Sequence, residues 1–398
     1  MIRDKNRNKI LVRVILIPAL AAVLVLSSGF FYSQNIAQAK KSSVTKWQKM
    51  LERNGIDPAL WQKYLPEITR KEYNAVKKSL KTTGGAVQTG SLGPEISVGL
   101  WYNSKDDIFK IKADKPYRIK DKNGDVIIPE VATDSMTRVK YDGDGKLKVY
   151  SSITERLFDD NVTFDAADGD NSSIIFDVDH DVNYDGYDHF RGKIEVNYYD
   201  GYYNGKHYGD IYNGRPDDDT VKQIWIINKL PLEQYVWGMG ETTGTGDADH
   251  VRVMATIFRT YGDWYIENAA KYKPLGFKIR SDSGSQIYVG SDREKTYPKV
   301  REAAEETRGS IVEYKGDVAL TPYCSYTDGR TRGLKGYPYL KSVKDHKKGT
   351  IKGLKPGENG NHMWGLSAHG ALGYAEDGKS WTWILKHYYT KVKISSAY

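Results

Sequence analysis

Residues 224–265, IWIINKLPLEQYVWGMGETTGTGDADHVRVMATIFRTYGDWY, set an apolar run, a carboxylate in a breaker loop and a long amphipathic pattern in one line. The run at 224–228 is too short for a helix and reads as a buried strand. Pro231, Leu232, Tyr235, Val236 and Met239 carry the apolar spacing on to Glu241, beyond which Gly244 and Gly246 interrupt any helix. Asp247 or Asp249 then offers an N-cap for a helix whose face carries Val251, Met254, Ile257, Phe258, Tyr261, Trp264 and Tyr265. Glu241 is therefore expected among Trp237, Met239 and tyrosines, close to a helix N-terminus. Burial there raises a carboxyl pKa and the helix end lowers it. A glutamate raised toward neutrality can give a proton and take one back, the work of a single-acid glycosidic cleavage. The plainer alternative from spacing alone is a helix-entry residue, paired with Arg252 or Arg259.

Outward from this stretch, the 398 residues carry a formal charge of +8 and one cysteine, a folded composition expected to divide into two or three units. One cysteine excludes an intramolecular disulfide, so the fold must rest on its core or on a metal. The 30 tyrosines and 9 tryptophans suit stacking on sugars, and equally suit the cores of ordinary sheets. The basic balance fits an extracytoplasmic surface rich in anionic polymer or lipid. With no clustered Lys/Arg face and no recognition motif, nucleic acid is not an expected partner.

Arg3, Lys5, Arg7 and Lys9 precede an apolar run at 14–31, and Ala37-Gln38-Ala39 follows with small residues at cleavage spacing. Residues 1–39 thus read as an export signal or, since the run approaches the length of about 20 residues that spans a bilayer, a membrane anchor. Cys324 lies far from this segment, which argues against a lipoprotein. Residues 40–81, with Trp47, Leu51, Ile56, Leu60, Trp61, Tyr64 and Leu65, read as a small helical module, either a stalk or a binding element. Residues 82–93, TTGGAVQTGSLG, read as a flexible linker. From residue 94 the texture turns to strands: EISVGLWY, IFKIKA, YRIKD, DVIIPE, KLKVYSS, SIIFDVD and KIEVNYY, with turns at Lys122-Asn123-Gly124 and Asp142-Gly143-Asp144-Gly145. The expected fold class is α+β, a β-rich scaffold half at 94–230 and a helical catalytic half at 231–398. Within the second half, 298–307 reads as a helix and 310–314 as a strand. A last helix carries Trp381, Ile384 and Leu385.

Two metal readings arise. Asp181, Asn183, Asp185 and Gly186 resemble the start of a calcium loop, but its twelfth position is Gly192 instead of a glutamate, and a solvated acidic turn fits as well. Cys324, His346, His362 and His369 are zinc-ligand types whose spacing matches no compact motif, so no metal is expected. His362 reads better as a groove residue.

Several separated blocks occur in one order: INKLPLEQYVWGMGE, ATIFRTYG, SGSQIYVG, TRGSIVEYKG, YCSYTDGRT, YPYLKSV and NHMWGLSAHGALGYAEDGKSWTWILKHYY. Together they resemble the stage II sporulation protein D (SpoIID/LytB) domain, over about residues 95–394. That family contains lytic transglycosylases acting on peptide-stripped peptidoglycan strands, and relatives described as enhancers of cell-wall amidases. The resemblance implies that Glu241 is the acid and then the base that cleaves MurNAc-GlcNAc bonds to 1,6-anhydro ends, with no cofactor. It implies that Arg330, Ser325, Thr327, Thr331, His362 and Ser367 line the glycan groove. This sequence departs from the family pattern at Thr242-Thr243 after the acid, at Thr327-Asp328-Gly329 in the arginine turn, and at Ala368. The expected partners are peptidoglycan strands, an amidase or envelope proteins, and the membrane if the N-terminal segment is retained. A non-catalytic wall binder that stimulates an amidase and a tethered structural component of the envelope are the competing expectations.

Overall fold

The computed structural model describes residues 91–103, 108–152, 154–179, 187–199, 202–203, 206–207, 223–269 and 271–398. The expected signal or anchor, the helical module, residues 82–90 of the linker, and the start of the candidate calcium loop at 181–186 lie outside the described residues. Leu92 to Ala397 form one compact unit. No helix among the described residues is long and apolar enough to cross a membrane.

The architecture is α+β. Strands β1 (Glu95–Asn103), β2 (Ile108–Ala113), β3 (Tyr117–Asp121), β4 (Val126–Val131), β5 (Thr137–Tyr141), β6 (Lys146–Tyr150), β7 (Glu155–Asp159), β8 (Asn161–Ala166), β9 (Ile175–Asp179), β10 (His189–Arg191) and β11 (Lys193–Tyr199) come first. A short hairpin, β12 (Tyr202–Tyr203) and β13 (Lys206–His207), and the long strand β14 (Gln223–Pro231) follow. The remainder is α1 (Leu232–Trp237), α2 (Ala248–Asn268), β15 (Ile279–Arg280), α3 (Asp292–Thr296), α4 (Pro298–Glu306), β16 (Ser310–Tyr314), β17 (Asp317–Val318), β18 (Tyr323–Cys324), β19 (Leu366–Ser367), α5 (Ala368–Glu376), α6 (Trp381–Tyr388) and β20 (Lys393–Ser396).

Two large sheets carry the first half, ordered β15-β1-β14-β11-β8-β3-β4 and β10-β9-β2-β5-β6-β7. Alternation decides their faces. In β2, Phe109, Ile111 and Ala113 are buried while Lys110 and Lys112 point outward to Asp179 (2.6 Å) and Asp177 (2.9 Å) on the neighbouring β9. Tyr117 in β3 links the sheets: its ring meets Phe176 of β9 edge-on at 5.7 Å, and its hydroxyl lies 2.6 Å from Thr137 Oγ1 in β5.

β14 is a continuous buried run because it is central in its sheet. Its one polar member inside the run, Asn228, is satisfied: Nδ2 donates to the carbonyls of Arg191 (2.7 Å) and Lys193 (3.0 Å), and Oδ1 accepts from the Tyr288 hydroxyl (2.9 Å). The chain leaves β14 through Pro231 directly into α1. Asp247 caps α2, accepting from the Asp249 N–H at 2.8 Å, as the sequence pattern predicts. The buried face of α2 is wider than that pattern. Val253, Arg259 and Asp263 are buried as well, while Trp264 and Tyr265 are partly exposed, because α1, α4 and β16 cover one side of α2 and α5 and α6 cover another.

Arg259 lies in that extra buried strip. Its Nε and Nη2 reach the two oxygens of Glu233 in α1 at 2.8 Å each, both side chains being fully buried. The remaining donors go to the Ala304 carbonyl (2.8 Å) and the Ser310 carbonyl (3.2 Å), and the Gly309 N–H donates to Glu233 Oε1 at 2.8 Å. Four elements therefore meet at one bidentate pair. Glu233→Gln leaves the guanidinium buried without its counter-charge, and unfolding in urea should show a loss of roughly 3–5 kcal/mol.

Candidate functional site

Glu241 is presented by a short antiparallel pairing between residues 238–240 and 287–289. The Gly240 N–H donates to the Ile287 carbonyl (2.7 Å), the Val289 N–H to the Gly238 carbonyl (2.9 Å), and Met239 faces Tyr288 between them. A Cβ on Gly238 would stand 2.5 Å from the Tyr288 ring, so a glycine is required for this approach. Arg293, in α3, closes the clasp from the other side. Its guanidinium donates to the carbonyls of Met239 (3.3 Å), Gly240 (3.2 Å) and Thr242 (2.6 Å) and lies 3.8 Å over the ring of Tyr297. The residues on both sides of the acid are thus fixed by one planar fork.

The carboxylate itself is half-buried and receives two donors. The Ile287 N–H reaches Oε1 at 2.7 Å, and the phenol of Tyr323, at the start of β18, donates to the same group. Tyr323 is aimed by a relay: the Tyr235 hydroxyl donates to Gln286 Oε1 at 2.9 Å, and Gln286 Nε2 donates to the Tyr323 oxygen at 3.2 Å, which leaves the Tyr323 proton for Glu241. Phe258 and Tyr261 of α2 meet the Tyr323 ring edge-on at 5.5 and 6.5 Å. Burial pushes the Glu241 carboxyl up, and the Tyr323 and Ile287 donors bring it part of the way back, leaving it above its ordinary value. Burial also raises the Tyr323 phenol well above its ordinary value, so it keeps its proton and can donate it to Glu241. Since a backbone N–H occupies Oε1, the proton of the neutral acid belongs on Oε2.

The ion-pair alternative for Glu241 gives way to other pairings. Arg259 holds Glu233, and Arg252 holds Asp249 (3.0 Å) and Glu306 (2.7 Å). Trp237 has its ring covered by the Arg301 guanidinium at 4.2 Å.

The other expected groove residues fall on the arginine turn and on the parallel pair β18 and β19. Ser325 and Arg330 are exposed, with Arg330 Nε directed at Ser342 Oγ (3.2 Å) and Nη2 at the Ser342 carbonyl (3.1 Å). His362 is partly buried, which lowers its pKa, and bonds to the backbone of Tyr323, one residue away from the acid. Thr327, Thr331 and Ser367 are fully buried and their hydroxyls serve the fold. Thr327 donates to Asp345 Oδ2 (2.6 Å), Thr331 donates to the Lys341 carbonyl (2.9 Å), and Ser367 Oγ caps α5 by accepting from the Gly370 N–H (3.1 Å). These three hold the loop that carries Ser325 and Arg330.

The zinc-ligand types have separate occupations. Cys324 is buried, its thiol pushed up to about 12 by burial, with Sγ 3.3 Å from the Tyr326 carbonyl. His346 meets Asp377 (3.2 Å), and His369 stacks on Tyr326 at 4.0 Å. Among the described residues no group of three or more His, Cys, Asp or Glu side chains is placed to hold a metal ion.

Sequence reasoning missed Tyr323, Gln286, Ile287 and Arg293. The first three sit inside quoted blocks, where only the spatial pairing reveals their contact with the acid.

Residues 220–314 match the family model SpoIID, described as Stage II sporulation protein. That span contains β14, the acid, α2, both sides of the clasp and Arg293, and it ends before Tyr323. Over 136 residues the chain is 30% identical to an uncharacterized protein of Brachyspira hyodysenteriae, a stretch that is 32% of this chain and 35% of that protein. The chain thus spans about a third of the length of the curated relative it matches.

The raised carboxyl gives a stability test. A group whose folded pKa lies above its unfolded value releases its proton earlier in the unfolded chain, so stability is lost as pH rises through the folded value. Glu241→Gln, which stays neutral, should gain in melting temperature over the native protein as pH is raised from about 4 to 7, with the gain smallest at the acid end. Parallel melting curves at all pH values would contradict the burial-raised acid.

Proposed function

Because this chain carries a SpoIID domain over residues 220–314, we propose that it is a peptidoglycan lytic transglycosylase whose acid and base are both Glu241. The SpoIID family is associated with action on peptidoglycan in sporulating cells, and the specific reaction is the proposal. The observation that carries it is a half-buried glutamate with a raised pKa and one oxygen tied to a backbone N–H.

The neutral carboxyl gives its Oε2 proton to the oxygen joining MurNAc C1 to GlcNAc, and the C1–O bond breaks. The carboxylate that results is stabilised by the Ile287 N–H and the Tyr323 hydroxyl. It then takes the proton of the muramic C6 hydroxyl, whose oxygen bonds to C1. The products are a 1,6-anhydro end and a free GlcNAc hydroxyl, and Glu241 is again protonated. Two donors on the carboxylate suit the second half of this cycle, and the raised pKa suits the first. Ser325 and Arg330 are the proposed contacts to acetamido and lactyl groups, and His362, already bonded to the backbone of Trp364 and Tyr323, is proposed to shape the groove behind them. We place the activity outside the cytoplasm, with the N-terminal segment as signal or anchor and a cell-wall amidase as a co-worker.

The test is mass spectrometry of peptide-free glycan strands after incubation with the protein or with Glu241→Gln. Anhydromuramic ends should form with the native protein and not with the variant, and the rate should fall as pH rises through the pKa of Glu241. Intact strands from both proteins, each folded and bound to the strands, would favour the amidase-enhancing binder. Arg293→Lys keeps the charge and loses the fork; it should lower kcat by about a hundred-fold, with KM changed little, through misplacement of the acid.

A further inference from the structure

Residues 361–367, NHMWGLS, form a buried segment interrupted by one exposed large ring. Trp364 is 38% exposed, while Met363 and Leu366 on either side are fully buried. The backbone that turns it outward is costly. Met363 adopts φ 64°, a left-handed conformation that a residue with a side chain rarely holds, and Gly365 follows at φ 68°. A Cβ on Gly365 would fall 2.0 Å from the Pro322 carbonyl oxygen, so the turn is packed hard against the residue before β18.

The ring is held from below and behind. His362 stacks on the indole at 5.0 Å and 21°, and its Nδ1 accepts the Trp364 N–H at 2.9 Å. Arg332 pairs its backbone with this segment, its N–H donating to the Met363 carbonyl at 2.7 Å, and its guanidinium meets Asp328 at 2.5 Å. His362 bonds in turn to the backbone of Tyr323, whose phenol donates to Glu241. The ring and the acid are therefore carried by one support, with Arg330 and Ser325 exposed on the same arginine turn.

We propose that Trp364 is a stacking platform for a pyranose ring of the glycan strand, a subsite of the groove served by Glu241. The proposal rests on the peptidoglycan reading above. A rigid aromatic face offers the C–H side of a sugar contact area at little entropic cost, while neighbouring guanidinium and hydroxyl groups meet its polar edge. The contact of His362 with the underside of the ring gives that histidine a positioning role, fixing both the platform and the Tyr323 backbone.

The test uses full-length protein carrying Glu241→Gln, so that strands persist, and measures its sedimentation with peptide-free glycan strands. Trp364→Ala added to that background should weaken binding roughly five- to ten-fold, Trp364→Phe should keep most of it, and Trp383→Ala, at an exposed tryptophan of α6 outside the 361–367 segment, should leave it unchanged. Melting temperatures of the three variants show that each is folded. Equal binding by the Trp364→Ala and parent proteins overturns the platform while leaving the peptidoglycan reading intact. No binding by the parent overturns that reading and the platform with it. Equal losses from Trp364→Ala and Trp383→Ala also overturn the proposal, since the strand would then follow general aromatic surface.

Discussion

The buried pair of Glu233 and Arg259 is the constraint around which the second half of the chain is assembled. α1 is only six residues long and could not persist alone. It holds because Glu233 is tied to α2 through Arg259 and to the Gly309 N–H, while Arg259 also ties the Ala304 carbonyl in the last turn of α4 and the Ser310 carbonyl that opens β16. Such a pair contributes modestly compared with an apolar core of the same volume, and its loss by halves is severe. Its value here is geometric. It sets the direction in which the chain leaves α1, and the next four residues deliver Glu241.

From that exit, control of the acid passes to hydrogen bonds of increasing specificity. The backbone pairing of 238–240 with 287–289 fixes the main chain, Arg293 fixes the carbonyls on both sides, and Ile287 and Tyr323 fix the carboxylate. Each of these bonds reaches across to a segment distant in sequence, so the geometry of the acid depends on residues 287–289, on α3 and on β18 together. A carboxyl held this way is pre-organised, with little reorganisation left for the proposed proton transfers.

Much of the fold was legible because period-two alternation and breaker residues are local signals. β2, β6 and β14, the Asp247 cap and the helices at α4 and α6 follow from them. β5, β7 and β8 were not read: TRVKY, ERLFD and NVTFDA mix charges into short strands whose outward faces are solvated, and their pairing partners supply the missing information. The buried face of α2 was underestimated for a related reason. Arg259 and Asp263 look solvent-facing in a hydrophobic pattern, and the burial of Arg259 is tolerable because Glu233, distant in sequence, supplies its counter-charge. At the site, the partly buried placement of Glu241 among aromatic side chains was legible from its breaker loop and apolar neighbours. The roles of Thr327, Thr331 and Ser367 could not be read in the same way, since a hydroxyl in a polar turn looks alike whether it meets a ligand or a backbone carbonyl. Tyr323 and Arg293 were invisible as contacts because they lie 82 and 52 positions beyond the acid.

Cys324 sits in β18 between Tyr323, which touches the acid, and Ser325, which is exposed. Burial pushes its thiol up to about 12, so the reactive thiolate is scarce near neutral pH, and the sulfur itself is buried. Alkylating reagents and mild oxidants therefore meet an inert native protein. Because the chain has one cysteine, any slow labelling reports one site, the uncovering of the buried Cys324 in the β18–β19 pair. The rate of thiol modification is thus a built-in clock for how often the floor beneath the acid comes apart.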